Sequence, residues 1–187
     1  MQEIQALYQK AILFAASRHE KTNQKVPGTD LTYVIHLSNV AMEILIAAPE
    51  TENFNLDLAI QVALLHDTLE DTASEYEELV EFFGREVADG VEALTKYKDL
   101  PKDKAMIDSL TRIKSQPKEI QAVKLADRIT NLQPPPPYWD ESKKLKYLEE
   151  ARIIYQELKD GNQYLADRLK LEIEKYRKYC GNNITGK

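Results

Sequence analysis

A single cysteine in 187 residues, Cys180, rules out an intrachain disulfide and fits a reducing compartment. Glycine is scarce, with six in all, which disfavours a turn-rich β fold. No stretch alternates apolar and polar residues convincingly enough to make a half-buried strand. No uninterrupted apolar run is long enough to span a bilayer. The first twenty residues set Glu3, Lys10 and Arg18 among spaced apolar positions, the pattern of an amphipathic helix and not of a signal peptide. Basic excess is lacking too. A net charge of -6 argues against a general nucleic-acid binder, yet a pocket can be locally basic on an acidic protein. These absences predict a soluble, cytoplasmic chain with neither membrane nor nucleic acid as partner, folded as one domain over residues 1–187.

What is present is helical periodicity. Ile4, Leu7, Tyr8, Ala11, Phe14 and Ala15 predict a helix over residues 3–20, with His19 at its end. A polar loop with the Pro27-Gly28 turn signal follows. A second helix is expected from about Leu31 to Ala48, ended by Pro49 and carrying His36 on its core side with Val40 and Ile44. Ser74 to Glu77 has capping-box spacing for a short helix that Gly84 terminates. Further helices are expected over 86–95, 118–132, 141–159 and 162–179, and Lys96 to Lys104 reads as a loop turning into a helix. The prediction is an all-α bundle of roughly eight to ten helices, with its core over about residues 5–160 and a C-terminal helix beyond.

The centre of the chain is Leu56 to Asp71. Leu56, Leu58, Ala59, Ile60, Val62, Ala63, Leu64 and Leu65 make a helix apolar nearly all round, which belongs inside a protein. Continued as one helix, it carries His66, Asp67, Glu70 and Asp71 over roughly 140° of one side. An imidazole and three carboxylates at the edge of a core are costly unless paired or bound to a cation, so the cluster reads as half of a metal site. The bland readings compete. His36, taken alone, is more often a satisfied core histidine. Asp127, set among Val123, Leu125, Ala126 and Ile129, is explained equally by a salt bridge to Lys124 or Arg128. His19 reads as a structural hydrogen-bonding group. Pro134 to Pro137 reads as a stiff spacer covering the pocket side.

The order His36 … His66-Asp67 … Asp127 resembles the H…HD…D signature of the HD-domain metal-dependent phosphohydrolases. Ala63-Leu-Leu-His-Asp-Thr-Leu-Glu-Asp-Thr72 and Val123-Lys-Leu-Ala-Asp-Arg-Ile-Thr-Asn-Leu132 resemble the hydrolase half of the RelA/SpoT proteins, in the small stand-alone form of the metazoan SpoT homologues. The resemblance implies hydrolysis of guanosine 3′,5′-bis(diphosphate), a small phosphorylated nucleotide, at its 3′ position with release of pyrophosphate and with one Mn²⁺ per chain. It implies His36, His66, Asp67 and Asp127 as metal ligands and Glu70 and Asp71 as the pair handling the attacking water. Lys25 and Asn131 would line the nucleotide pocket, as would Tyr33 and Thr95. Two imidazoles and two carboxylates suit Mn, Fe, Co or Zn and are too nitrogen-rich for Ca. Lys21 and Lys25 supply cations for the diphosphates near His36.

One loop departs from the pattern. The family runs through a Gln and a basic cluster to a Pro-Tyr pair, whereas here Gln24-Lys25 leads to Thr32-Tyr33. Two other readings therefore stay open: a different nucleotide phosphohydrolase, such as a 5′-nucleotidase or NADPH phosphatase, and a non-catalytic nucleotide-sensing module.

Overall fold

The computed structural model describes residues 3–181, the side chains of residues 102 and 103 aside. The described residues form ten α-helices: α1 Ile4–Lys21, α2 Val34–Ala47, α3 Leu56–Leu65, α4 Thr68–Asp71, α5 Tyr76–Phe83, α6 Arg85–Leu94, α7 Lys102–Lys114, α8 Lys118–Asn131, α9 Glu141–Leu158 and α10 Gln163–Tyr176. The only β feature among them is an isolated antiparallel bridge between Lys25 and Thr32. None of these helices is long and apolar enough to cross a membrane.

Helix α3 lies at the centre, against α1, α2, α6 and α8. Seven of its ten residues are buried, as its all-round apolar surface requires. Its N-terminus is capped by the Asn55 side chain, which accepts from Leu58 N–H at 3.1 Å. Gly90 lets α6 approach this centre, since a Cβ there would stand 2.6 Å from Ile120 Cδ1 and 3.1 Å from Val62 Cγ2. Helix α10 packs on α8 and α9 and reaches α2 through an ion pair between the half-exposed Arg168 and the buried Glu43. Arg168 Nε donates to Glu43 at 2.7 and 2.9 Å, and Nη2 donates to it at 2.7 Å.

Four boundaries differ from expectation. Helix α2 starts at Val34, because the segment 24–33 first folds back on itself: Val26 N–H bonds Leu31 C=O at 3.0 Å and Tyr33 N–H bonds Gln24 C=O at 3.3 Å. Pro49 sits inside a 3₁₀ turn, Ala48–Glu50, that extends α2. Helix α5 is capped at Glu75 with no side-chain bond, because Ser74 instead turns to Thr72, whose Oγ1 accepts from Ser74 N–H at 3.1 Å. The largest difference lies at His66. The central helix is not continuous to Asp71; it stops at Leu65. The His66 Nδ1–H donates to Ala63 C=O at 2.8 Å and the Thr68 hydroxyl to Leu65 C=O at 2.7 Å. These side chains take carbonyls at the end of the helix, and Asp67 leaves helical geometry at φ -102°, ψ 1°.

Candidate functional site

The break in the central helix places the chemistry. His36 comes from α2, His66 and Asp67 from the corner after α3, and Asp127 from α8. One ligand atom from each of His36, His66 and Asp67 lies within 4.8 Å of the others. Asp67 Oδ2 is 2.9 Å from His66 Nε2 and 3.9 Å from His36 Nε2. Asp127 Oδ1 is 3.4 Å from His36 Nε2 and 3.7 Å from His66 Nε2. The two Nε2 atoms face each other at 3.3 Å. The four residues taken from distant parts of the sequence are thus one cluster.

Its electrostatics call for a cation. Because a carbonyl can only accept, His66 Nδ1 carries a proton, and Nε2 is the ring nitrogen turned toward the carboxylates. Burial opposes charge on His66, but Asp67 and Asp127 outweigh it and raise the imidazole to about 10. Asp67 and Asp127 are likewise buried, which favours their neutral forms. The imidazoles nonetheless hold Asp67 well below the usual carboxylate range, and Lys124 with the imidazoles does the same for Asp127. The proton on His66 stands where a divalent ion's charge would stand, and two imidazole nitrogens with two carboxylate oxygens are a fitting donor set for one.

A ring of supporting groups fixes these atoms. Tyr33, buried between the rings of His19 and His36 at 4.9 and 5.0 Å, donates its hydroxyl to Asp67 Oδ2. Lys124 Nζ donates to Asp127 Oδ2 at 2.9 Å and Asn131 Nδ2 to Asp127 Oδ1 at 2.5 Å. The Thr130 hydroxyl lies 3.4 Å from His36 Nδ1. The salt bridge offered as the bland account of Asp127 therefore exists, with Lys124, and coexists with the cluster.

Glu70 and Asp71 diverge. Glu70 accepts from Lys96 twice, from its backbone N–H at 2.9 Å and from Nζ at 2.7 Å. Asp71 accepts from Gln24 Nε2 at 2.7 Å, and Gln24 Oε1 in turn accepts from His19 Nδ1 at 2.5 Å. Burial and the neighbouring Asp67 push the Asp71 carboxyl upward. Lys25 is exposed one residue after Gln24, and Lys21 is exposed at the end of α1. Thr95 is buried, and its hydroxyl donates to Val91 C=O at 2.9 Å within α6. The sequence reading gave no role to Lys96 or Thr130. Lys96 is separated from Glu70 by 26 residues, and only the fold joins them.

Beside His36 opens a cavity of about 280 Å³ walled by Thr130, Asn131, Pro134, Pro135, Pro136, Trp139 and Tyr147 among others. Gly28, at φ +80°, closes against Pro136, where a Cβ would come within 3.0 Å of its ring.

The profile of the HD domain matches residues 11–163. A guanosine-3′,5′-bis(diphosphate) 3′-pyrophosphohydrolase of Danio rerio is 32% identical over 169 residues, spanning 88% of this chain and 91% of that protein. Its Homo sapiens counterpart is 33% identical over 162 residues, spanning 84% and 87%. A solved structure described as a metazoan ortholog of SpoT that hydrolyzes ppGpp superposes with a TM-score of 0.75 at 25% identity, covering 94% of this chain and 96% of that one.

Proposed function

As a member of the HD-domain family, this chain is a hydrolase built for a divalent metal, and we propose that it is a Mn²⁺-dependent guanosine 3′,5′-bis(diphosphate) 3′-pyrophosphohydrolase. The observation that carries the reading is the convergence of His36, His66, Asp67 and Asp127 on one point, with the His66 ring oriented by Ala63 C=O. His36, His66, Asp67 and Asp127 would hold a divalent cation, which would supply Lewis acidity toward the attacking water and the phosphoryl oxygens. The chain's own residues do the rest. Tyr33 and Asn131 hold the two carboxylates in place by hydrogen bonds. Asp71, raised by burial and oriented by Gln24, accepts the proton of the attacking water. Glu70 holds Lys96 at the entrance to the site, where its ammonium meets the substrate's oxyanions. Lys25, exposed on the neighbouring loop, and Lys21, exposed at the end of α1, add cations for the diphosphates. The cavity lined by Asn131 and the proline run takes the nucleoside.

The test is product analysis. Purified protein with Mn²⁺ and guanosine 3′,5′-bis(diphosphate) releases pyrophosphate, and chelator abolishes the release. Orthophosphate from a mononucleotide or from NADPH, with no pyrophosphate from the alarmone, contradicts the reading and favours another phosphohydrolase.

A further inference from the structure

A second cavity, of about 380 Å³, shares a wall with the cluster through Glu70 and Lys124. Five basic side chains line it, Lys96, Lys98, Lys124, Arg128 and Lys146, against two carboxylates, Glu70 and Glu150. Lys96 is answered by Glu70 at 2.7 Å and Lys124 by Asp127 at 2.9 Å. The other three are not so matched. Lys98 and Lys146 have no carboxylate within 4.0 Å among the described residues. Arg128 is 8% exposed. Its Nε and Nη1 are buried without a hydrogen-bond partner, and Nη2 has only Glu150 at 3.7 Å. Its guanidinium carbon lies 4.5 Å from the centre of the Tyr147 ring, a contact that leaves its N–H donors unused. A guanidinium kept out of water with unused donors is costly unless something accepts from it, and its planar fork matches a phosphate.

We propose that this cavity is an anion site for a diphosphate group, and that in turnover it holds the diphosphate of the substrate that is not cleaved. The second half rests on the hydrolase reading above; the anion site itself does not. A bis(diphosphate) nucleotide has one nucleoside and two diphosphates to place. The cluster is flanked by a cavity walled by prolines and aromatics on the His36 side and by this basic one at Glu70 and Lys124.

Arg128 variants risk the fold, so the test uses the two exposed lysines. In metal-free, chelator-containing buffer, inorganic pyrophosphate binds the full chain by calorimetry. A Lys98→Gln/Lys146→Gln double variant weakens that binding about tenfold or more, whereas Asp67→Asn does not weaken it. With Mn²⁺, the double variant raises KM for guanosine 3′,5′-bis(diphosphate) by a similar factor with little change in kcat. It leaves KM for guanosine 3′-diphosphate, which lacks the second diphosphate, unchanged. Pyrophosphate binding that the double variant does not alter overturns the anion site. A KM that rises equally for both nucleotides overturns its assignment to the uncleaved group. Loss of pyrophosphate binding in a protein that hydrolyses neither nucleotide leaves the anion site standing and removes the hydrolase reading instead.

Discussion

Helix α2 carries two buried ionisable residues seven positions apart, His36 and Glu43, and they meet opposite fates. Glu43 is answered in full: Arg168 forks onto both its oxygens, and Glu172 takes up a further guanidinium nitrogen at 3.4 Å. His36 faces a second imidazole and two carboxylates, with Lys124 the one ammonium bonded to the group among the described residues. The same contrast separates Arg168, bonded through Nε, Nη1 and Nη2, from Arg128, whose Nε and Nη1 are unbonded. A buried charge with all its partners inside the protein ties helices together. One that lacks them is built for something that arrives.

Substitutions on the two sides should therefore separate activity from stability. The largest effect expected is Asp67→Asn, which removes an anionic ligand and costs turnover about 10³-fold, the several kcal/mol a metal supplies to the transition state. Far-ultraviolet circular dichroism should show the helices retained. Next come Asp71→Asn and Glu70→Gln, each expected to keep the metal and lower kcat about 10²-fold, the range for general acid–base and positioning groups; wild-type rates in either would remove that residue from the mechanism. Glu43→Ala should do the reverse. It breaks an ion pair in which Glu43 is buried and the Arg168 side chain is 37% exposed. Stability should drop by about 2–3 kcal/mol, below the full cost of a sealed pair, with kcat unchanged below the melting temperature. A large loss of kcat there would erase the distinction drawn here.

The smallest effect concerns the third histidine. His19 is buried, with Nδ1 bonded to Gln24 and Nε2 without a partner. Burial lowers its pKa below the ordinary 6.5 despite the bond it makes to Gln24 and the nearby aspartates. The unfolded chain then takes up this proton before the folded one. The contribution to stability is complete above about 6.5 and is lost as pH falls through and below that value. An NMR titration of His19 should give a midpoint below 6.5, and in His19→Gln the fall in urea stability between pH 7.5 and 5.5 should be shallower.

How far these features could be read from residues alone follows from what carries them. The buried helix at Leu56–Leu65 and the helical class were legible because they depend on local apolar pattern. The grouping of His36, His66, Asp67 and Asp127 was legible only through the resemblance to the H…HD…D signature, since His36 and Asp127, each taken alone, have ordinary structural readings. The proline run standing as a wall of the pocket was legible because proline allows little else. The break at His66 was not. It depends on a histidine and a threonine capturing backbone carbonyls, and helical propensity does not report that choice. With a continuous helix assumed, Glu70 and Asp71 share a side. In the fold one turns to Lys96 and the other to Gln24. Thr95, placed among the pocket residues by resemblance, spends its hydroxyl on its own helix, and the side chain at this corner that reaches Glu70 is its neighbour Lys96. The unmet donors of Arg128 were invisible for the same reason: an absence of partners exists only in three dimensions.

The most direct test of the central claim is a Mn²⁺ titration of the full chain followed by electron paramagnetic resonance. One ion should bind per chain, with binding lost in Asp67→Asn and kept in Glu43→Ala. Binding that Asp67→Asn leaves intact, or no binding to the wild-type chain, would contradict it.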